Sequence, residues 1–451
     1  MSHKPSPTTP MPDAKAGLVP KLRFPEFRAA GDWTAERLGS LVSISTEKVG
    51  NAACVPMSIT SGVGLVSQED KFGRVIAGDS YKNYLLLEPN DFAYNKSATK
   101  EFPEGFLTLY SGSNLAAVPN SIFTCFRVHG ESPVTTYLNY LFLGNLHGQW
   151  LRNFIQVGAR AHGSLSINDN DLMALPVPLP TGSSSIAEQQ KIADCLSSLD
   201  ELIVAQARKV DALKTHKKGL MQQLFSREGQ TQPGLRFPEF QDHGEWTVSS
   251  IQELIDKKFI AGHLDGNHGS LYPRAEEFSD SGVPYISATN FNNGGIDFGR
   301  CRYFSTKRAA QFKKGIARDG DILFAHNATV GPVAKLNTKH DFVILSTSLT
   351  YFRCNCAFLS SDFLQCILVS PGFVDQCDRV MSQSTRNQIP ITTQRTFSLQ
   401  LPTLPEQLRI ADCFTSLDTL ITATAQELDT LKTHKKGLMQ QLFPAPAEVV
   451  A

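Results

Sequence analysis

A block of 38 residues occurs twice in this chain of 451, and this duplication constrains the fold more than any other feature of the sequence. Residues 188–225 and 406–443 are identical at 27 of 38 positions, and residues 213–225 return unchanged as 431–443. A shorter motif, Leu-Arg-Phe-Pro-Glu-Phe, stands before each block, and each copy is followed by a Trp-Thr pair. The chain is therefore an internal tandem repeat.

The regions between the repeated blocks differ from each other. Residues 35–185 and 248–403 show almost no alignable identity, although the segments that flank them agree. A duplication that only enlarged a scaffold would drift at similar rates everywhere. The pattern favours two interchangeable reading modules on a constant frame.

Apolar residues in each block are spaced by alternating four and three positions, which is the seam of a coiled coil. The seam positions are Ile192, Leu196, Leu199, Ile203, Gln206, Val210, Leu213, Lys217, Leu220 and Leu224 in the first copy, and Ile410, Phe414, Leu417, Ile421, Thr424, Leu428, Leu431, Lys435, Leu438 and Leu442 in the second. Polar residues stand at matching positions of both copies, where they would fix the register of the helices at some cost in stability. Each block therefore predicts one long helix. We expect the two helices to pack antiparallel about a pseudo-twofold axis, with the variable regions at opposite ends.

Both predicted helices carry start signals and features with more than one interpretation. The Ser-x-x-Glu sequence at 185–188 and the Thr-x-x-Glu sequence at 403–406 fit the capping box, and each follows a proline-containing exit. Gly219 and Gly437 indicate either fraying of the helix end or close approach of a crossing helix or partner. The Lys-Thr-His-Lys-Lys run at 214–218 and its copy are either a solvated face or a contact with phosphate or a partner.

The variable regions are β-rich by pattern. Residues 121–128 and 344–353 alternate between apolar and polar side chains and predict strands, and short helices are plausible around 136–155. The fold class predicted is therefore α+β, with two β-rich regions separated by two long antiparallel coiled-coil helices.

Two polar loops in each variable region carry the residue types that read base edges and phosphates in DNA. They lie at 94–100 and 158–167 in the first half, and at 325–329 and 382–389 in the second. The candidate DNA-binding residues are Asn95, Lys96, Lys100, Arg160, His162, Ser164, His326, Asn327, Thr329, Ser384, Arg386, Asn387 and Gln388. A surface hydrogen bond or a turn explains any one of these residues equally well. Only the loops taken as groups therefore support DNA binding.

Composition and motifs exclude several classes of protein. Lys+Arg 43 against Asp+Glu 43 gives zero net charge, which rules out a polybasic tail but not a basic strip on one face. No apolar stretch is long enough to span a membrane and no signal peptide pattern is present, so we expect a cytoplasmic protein. The nine cysteines lack CxxC spacing and are expected to be reduced, buried thiols rather than metal ligands. Phosphate-loop, HExxH and nucleophile-elbow motifs are absent, so we expect a chain without catalysis of its own.

The whole arrangement resembles the specificity subunit of type I restriction-modification systems, over roughly residues 21–443. The resemblance rests on the duplicated Leu-Arg-Phe-Pro-Glu-Phe and Trp motifs, the Asp-Gly-Asp-Ile-Leu-Phe-Ala stretch at 319–325, the Leu-Pro exits, the Glu-Gln helix starts and the Lys-Lys-Gly-Leu-Met-Gln-Gln-Leu-Phe ends. The first half matches the Gly-Asp-Ile-Leu-Phe sequence only loosely, at 90–94. The predicted organisation is a disordered proline-rich tail at 1–20, target recognition domains at 21–185 and 229–403, spacer helices at 186–228 and 404–443, and a tail at 444–451.

The resemblance implies partners and a function. Each recognition domain would read one half of a bipartite, asymmetric site in double-stranded DNA, and the helices would set the gap and bind two methylation subunits. Motor-nuclease subunits would join for restriction. This chain would bind no cofactor, since S-adenosylmethionine, ATP and Mg would be held by the partner subunits. Two alternatives from other classes stay open here: a stand-alone DNA-binding regulator with two readers, and a coiled-coil scaffold that does not touch DNA.

Overall fold

The computed structural model describes residues 17–60, 63–155, 165, 167–226, 230–292, 294–383, 386–445 and 449. The chain forms two compact units. Unit 1 contains residues 1–205 and 427–451, and unit 2 contains residues 206–426. Among the described residues, no helix is long and apolar enough to cross a membrane.

The regular elements are short strands and short helices, apart from two long helices. The strands are β1 (Thr34–Arg37), β2 (Val42–Ser45), β3 (Val55–Thr60), β4 (Gly64–Ser67), β5 (Leu85–Leu87), β6 (Phe92–Asn95), β7 (Phe106–Leu109), β8 (Ala116–Val118), β9 (Phe123–Val128), β10 (Pro176–Leu179), β11 (Thr247–Ser250), β12 (Ile260–Asp265), β13 (Phe278–Ser279), β14 (Val283–Ile286), β15 (Phe291–Asn292), β16 (Gly295–Ile296), β17 (Arg302–Phe304), β18 (Ile316–Ala317), β19 (Ile322–Asn327), β20 (Thr329–Lys335), β21 (Val343–Leu345), β22 (Leu349–Cys354) and β23 (Ser398–Leu401). The α-helices are α1 (Leu38–Leu41), α2 (Gln68–Phe72), α3 (Thr135–Leu143), α4 (Leu146–Leu151), α5 (Asp169–Met173), α6 (Ser185–Leu224), α7 (Ile251–Asp256), α8 (Thr306–Ala309), α9 (Ser361–Ile367), α10 (Pro371–Ser382), α11 (Ile391–Gln394) and α12 (Leu404–Leu442).

The two units share the strand order of their main sheets although their variable regions lack alignable identity, and unit 2 adds the edge strand β13 and the separate pair β15-β16. Unit 1 has sheets of order β2-β9-β6-β7 and β4-β3-β8-β5, and unit 2 has sheets of order β12-β22-β19-β20 and β13-β17-β14-β21-β18. The parallel pair β3 and β8 in unit 1 corresponds to the parallel pair β14 and β21 in unit 2. A small antiparallel pair completes each unit, β1 with β10 and β11 with β23. The duplication therefore includes the variable regions, whose backbone has been kept while their side chains diverged.

An ion pair between a buried aspartate and a partly exposed arginine occupies the same place in both units. In unit 1, the Arg127 guanidinium donates to both carboxylate oxygens of Asp91, at 2.6 and 2.9 Å. In unit 2, Arg353 donates to both oxygens of Asp321, at 2.9 and 2.7 Å. Each aspartate precedes a central strand and each arginine lies in the neighbouring strand, so these pairs align the two variable regions residue by residue.

The two long helices confirm the heptad prediction. All 20 seam positions are buried or partly buried, and α6 and α12 have 40 and 39 residues, or about 60 Å each. In unit 2, Gln206 Nε2 donates to the Thr424 carbonyl oxygen at 3.1 Å and Lys217 binds Asp418 at 2.5 Å. Because higher numbers in α6 meet lower numbers in α12, the helices are antiparallel there.

The same arrangement holds in unit 1. Lys435 Nζ donates to both carboxylate oxygens of Asp200, at 2.5 and 2.6 Å, and Leu196 and Leu442 share one hydrophobic core. Both seam lysines therefore have an aspartate partner, which explains how a charged residue is tolerated in a largely apolar seam.

The predicted capping boxes are wrong. The Ser185 hydroxyl donates to the Pro180 carbonyl oxygen at 2.6 Å, and both carboxylate oxygens of Glu188 accept from Arg23. Glu406 is held in the same way by Arg236. An arginine fork binds a carboxylate more strongly than a single backbone amide does, so each glutamate turns toward the arginine.

Fraying at the internal glycines is also wrong, because both helices continue for five residues beyond Gly219 and Gly437. A Cβ atom added to either glycine would meet no described atom within 4 Å, so this chain does not supply a close crossing helix there.

The alternating segment at 344–353 is not one strand as predicted. Val343–Leu345 belongs to one sheet of unit 2 and Leu349–Cys354 to another, and residues 346–348 cross between the two sheets. Ser-Thr-Ser at 346–348 interrupts the alternation of apolar and polar residues at this crossover, and the two strands lie on either side of it. The strand predicted from residue 121 likewise begins at Phe123.

The nine cysteines are free thiols, but only Cys125 and Cys377 are fully buried and Cys356 is exposed. The prediction that all are buried is therefore wrong. Among the described residues, no group of three or more His, Cys, Asp or Glu side chains is placed to hold a metal ion.

Candidate nucleic-acid interface

Three chain segments meet at the end of β19 in unit 2, and two of them carry predicted DNA-binding residues. The His326 amide donates to the Ser348 carbonyl oxygen at 2.9 Å, and the Ile389 amide donates to the His326 carbonyl oxygen at 2.8 Å. We call residues 326–329, 346–348 and 386–389 the second junction. The loops at 325–329 and 382–389, about 60 residues apart in the sequence, are thereby joined by backbone hydrogen bonds.

Further contacts fix the two polar loops of the second junction to each other. The Ala328 amide donates to the Asn387 carbonyl oxygen at 2.9 Å, and Asn327 forms an isolated β-bridge with Gln388. Ala328 has φ of 65°, which allows β19 to turn tightly into β20. Thr329, Arg386 and Asn387 are exposed beside this turn. The structure therefore presents a set of donors and acceptors on backbone segments that are hydrogen-bonded to each other.

His326 lies beneath this surface rather than on it. Its side chain is 1% exposed, Nδ1 is 3.1 Å from the Ile389 carbonyl oxygen, and Nε2 has no partner among the described residues. Burial lowers the pKa of His326 below its usual 6.5, so the ring is neutral at pH 7. A buried neutral imidazole does not neutralise a phosphate, and its hydrogen bond to Ile389 instead fastens the two loops.

A buried polar network supports the second junction. Gln394 is fully buried and donates to Thr350 Oγ1 at 3.1 Å and to the Ile389 carbonyl oxygen at 3.0 Å. His263 Nε2 lies 3.3 Å from Gln394 Oε1. Burial lowers the pKa of His263 to about 4, so this network carries no imidazolium at neutral pH.

Unit 1 contains the same backbone arrangement at the end of β6. The Lys96 amide donates to the Ile122 carbonyl oxygen at 2.8 Å, and the Leu165 amide donates to the Lys96 carbonyl oxygen at 2.6 Å. We call residues 95–97, 120–122 and 165 the first junction. Lys96 and His326 are therefore equivalent, as are Ile122 and Ser348.

The side chains of the first junction differ from those of the second. Lys96 Nζ lies 2.8 Å from Asp169 Oδ1, which also accepts a 2.6 Å hydrogen bond from Thr124. Burial alone would raise the pKa of Asp169, but Lys96 and Thr124 together lower it. Asn95 is 5% exposed and its Oδ1 accepts from the Ser97 amide at 2.8 Å.

The remaining predicted residues of unit 1 divide into two groups. Lys100 is exposed beyond the first junction. The other three candidates, Arg160, His162 and Ser164, lie outside the described residues, and so does Ser384 of unit 2. Leu165, a described residue of the predicted loop at 158–167, lies at the end of β6.

The two junctions use matched sets of partners with different charge. Thr124 and Thr350 occupy the same strand position, and each contacts a helix residue behind the junction, Asp169 or Gln394. A lysine and aspartate ion pair in unit 1 thus stands where unit 2 has a neutral histidine and glutamine. The backbone arrangement is common to both junctions, whereas the side chains and their charges are specific to each unit.

Sequence reasoning missed the crossover segments of both junctions. The predicted strands at 121–128 and 344–353 include residues 121–122 of the first crossover and all of the second, at 346–348. A signal was available, since Ser-Thr-Ser at 346–348 places polar residues at three successive positions inside an otherwise alternating pattern.

Comparisons with known proteins agree with this architecture. Residues 243–433 match the family model described as the type I restriction modification DNA specificity domain. The chain is 22% identical to the type I restriction enzyme MjaVIII specificity subunit of Methanocaldococcus jannaschii over 302 residues, which are 66% of this chain and 68% of that protein. It is 25% identical to the putative type I restriction enzyme MjaX specificity subunit of the same organism over 316 residues, 69% of this chain and 68% of that protein.

The fold is also found among solved structures. The crystal structure of the type I restriction-modification system S subunit from M. genitalium aligns over 95% of this chain and 99% of that one, with a TM-score of 0.53 at 15% identity. The α+β fold with two β-rich regions and two long helices is thereby confirmed. The resemblance to type I specificity subunits is confirmed as well.

Proposed function

We propose that this chain, which resembles type I specificity subunits, is the non-catalytic DNA-reading subunit of a restriction-modification complex in the cytoplasm. Each unit reads one half of a bipartite, asymmetric site in double-stranded DNA. One observation carries the proposal: both units keep the same three-segment junction while its side chains differ. A shared backbone with different side chains is what two readers of different sequences require.

The second junction has the chemistry for reading base edges. Asn and Gln pair with adenine through two hydrogen bonds and Arg pairs with guanine, while Thr serves either as donor or as acceptor. Asn327, Gln388, Arg386 and Thr329 supply these groups, and the bridge between Asn327 and Gln388 holds two of them at a fixed spacing. A rigid presentation costs little conformational entropy on binding.

The long helices provide a constant surface in each unit. Residues that are identical in both repeats include one stripe on each helix, outside the seam, whose members are exposed except for a partly exposed glycine. The stripes are Asp194, Ser198, Leu202 and Ala205 with Thr433, His434, Gly437, Gln440 and Gln441 in unit 1, and Asp412, Ser416, Leu420 and Ala423 with Thr215, His216, Gly219, Gln222 and Gln223 in unit 2. Packing of the two helices against each other does not explain why these residues outside the seam are identical in both repeats. A partner of which one copy binds to each unit would explain it.

We assign these two surfaces to two copies of a methylation subunit. That partner would hold S-adenosylmethionine and the target adenine extruded from the duplex, and motor-nuclease subunits would supply ATP and Mg chemistry for restriction. The zero net charge of this chain fits such a complex, because much of the phosphate neutralisation would come from the partners.

Genome-wide mapping of N6-methyladenine tests the reading function. Methylation is compared in cells that express this chain with its neighbouring methyltransferase and in cells that lack only this chain. We expect a gapped two-part motif that disappears with the chain. Methylation that is unaltered by the loss would contradict the proposal, and tight sequence-specific binding by the isolated chain would favour a stand-alone regulator.

Substitution of the exposed leucines tests the docking surfaces. Leu202 and Leu420 are equivalent and are 55% and 45% exposed. We expect Leu202→Glu or Leu420→Glu to reduce the number of bound methylation subunits from two to one in native mass spectrometry, and the double variant to bind none. Val204 is 48% exposed but is Thr in the repeat, so Val204→Glu is the matched control and should retain two. Two subunits on the double variant would rule out these surfaces.

A further inference from the structure

The crossover at 346–348 contributes side chains to the second junction that no predicted loop contains. It leaves β21 in one sheet, enters β22 in the other, and offers the Ser348 carbonyl oxygen to His326. Thr347 stands at the middle of this crossover and is partly exposed. Its hydroxyl has no hydrogen-bond partner within the described part of the chain.

The two flanking serines hold Thr347 in place. Ser346 Oγ and Ser348 Oγ are 2.6 Å apart, and the Ser348 amide lies 3.3 Å from Ser346 Oγ. The Ala288 amide also lies 3.4 Å from Ser348 Oγ, which ties the crossover to the neighbouring β14 loop. The flanking hydroxyls are therefore engaged within the protein, and the Thr347 hydroxyl is left for an outside partner.

Unit 1 repeats this arrangement with different residues. The equivalent crossover is residues 120–122, in which Ile122 bonds to Lys96 as Ser348 bonds to His326. Ser121 is the counterpart of Thr347, is exposed, and also has a hydroxyl without a partner among the described residues. A short hydroxyl residue at this point is the one side-chain feature that the two crossovers share.

We propose that Thr347 and Ser121 are specificity-determining residues that contact a hydrogen-bonding base edge, each in the half-site read by its own unit. The inference rests on the proposed DNA-reading function and extends it to a third segment of each junction. Ser346 and Ser348 are positioning residues for Thr347. A serine or threonine hydroxyl can donate or accept, and the threonine methyl group adds contact with a thymine methyl.

The two residues serve as controls for each other in one experiment. The full complex with its methylation subunits is given a library of DNA sites in which one position at a time is randomised, and the preference at each position is measured by sequencing the methylated products. Thr347→Val removes the hydroxyl and keeps the shape, Thr347→Ser keeps the hydroxyl, and Ser121→Ala removes the hydroxyl in unit 1. Ser281→Ala, at an exposed serine of unit 2 outside the junction, controls for general effects.

We expect Thr347→Val to reduce the preference about fivefold at one or two positions of one half-site, since a net hydrogen bond is worth about 1 kcal/mol. Thr347→Ser should stay close to the native profile, and Ser121→Ala should act on the other half-site only. If the parent complex methylates a two-part motif and neither Thr347→Val nor Ser121→Ala changes the sequence preference, this inference is overturned and the proposed function is not. A parent complex without sequence preference would overturn the proposed function and this inference together, and equal loss at both half-sites would overturn the assignment of one residue to each.

Discussion

Arg23 Nε and Nη2 each donate to one carboxylate oxygen of Glu188, both at 2.7 Å, although 165 residues separate the two in sequence. Arg236 and Glu406 form the same pair with the same two distances. Each arginine belongs to the short repeated motif and each glutamate to the start of a long helix. This ion pair, which we call the clamp, holds the short repeated motif against the start of the long helix in each unit. The contact explains why both repeated segments have been retained.

Loss of this clamp should destabilise unit 1 strongly. Arg23 is 9% exposed and Glu188 is 1% exposed, so Arg23→Ala leaves a buried carboxylate without its countercharge. We expect the free energy of unfolding to fall by about 3 kcal/mol, as measured by chemical denaturation. The matched control is Lys191→Ala, since Lys191 is 51% exposed in its pair with Glu26 and should cost less than about 1 kcal/mol. An equal decrease in the free energy of unfolding for Arg23→Ala and Lys191→Ala would contradict a stabilising role for the buried ion pair.

A second prediction concerns the pH dependence of stability. His147 is 2% exposed, neither ring nitrogen has a partner among the described residues, and burial lowers its pKa to about 4. The unfolded chain, with a pKa of about 6.5, then binds more protons than the folded chain, so stability falls as the pH drops from about 6.5 to about 4.

The expected slope from His147 is up to about 1.4 kcal/mol per pH unit. His147→Phe should reduce that slope in unfolding measured at pH 7, 6 and 5, because phenylalanine does not titrate in a site between Tyr94 and Phe142. His263 should continue to contribute acid sensitivity in this variant, since its pKa is also lowered to about 4. An unchanged slope would show that His147 does not remain neutral in the folded chain.

Much of the fold is predictable from the sequence because the repeat and the heptad are long-range regularities. The seam residues Ile192 to Leu224 follow one period for the whole helix, and no local feature competes with it. Short strands are less predictable. At 344–353 the alternation is interrupted only by Ser-Thr-Ser at 346–348, and pairing with β14 on one side and β19 on the other divides the segment between two sheets.

The candidate site was predicted only in part, because its geometry depends on contacts distant in sequence. His326 and Lys96 look alike as exposed polar loop residues, yet one is buried and the other is held in an ion pair with Asp169. Asp169 lies 73 residues from Lys96, and no sequence pattern connects them. Divergence between the two units had also hidden their common topology, which the backbone reveals directly.

Substitution of Arg386 should affect one half-site only. It is exposed in the second junction, and arginine pairs with guanine or contacts phosphate. We expect Arg386→Ala to relax or weaken recognition of one half of the motif by about 1–3 kcal/mol, read by methylation mapping of the variant. Arg300→Ala, at an exposed arginine outside the junction, should leave the motif intact. Weakening of both halves together would contradict a separate reader in each unit.

The length of the helix pair should determine the gap between the half-sites. Each long helix contributes residues to both units, and Gln206 lies against Thr424 at the same level of the pair. Insertion of four residues at this level in both helices lengthens each by about 6 Å and adds about 40° beyond a full turn. One DNA base pair adds about 3.4 Å and a rotation of about 35°. We therefore expect the variant to methylate a motif with the same two halves and a gap longer by one or two base pairs.

Substitution of four exposed residues at the same level without any insertion is the control and should keep the native gap. An insertion variant that folds, methylates and retains the native gap would show that the helices do not set the spacing.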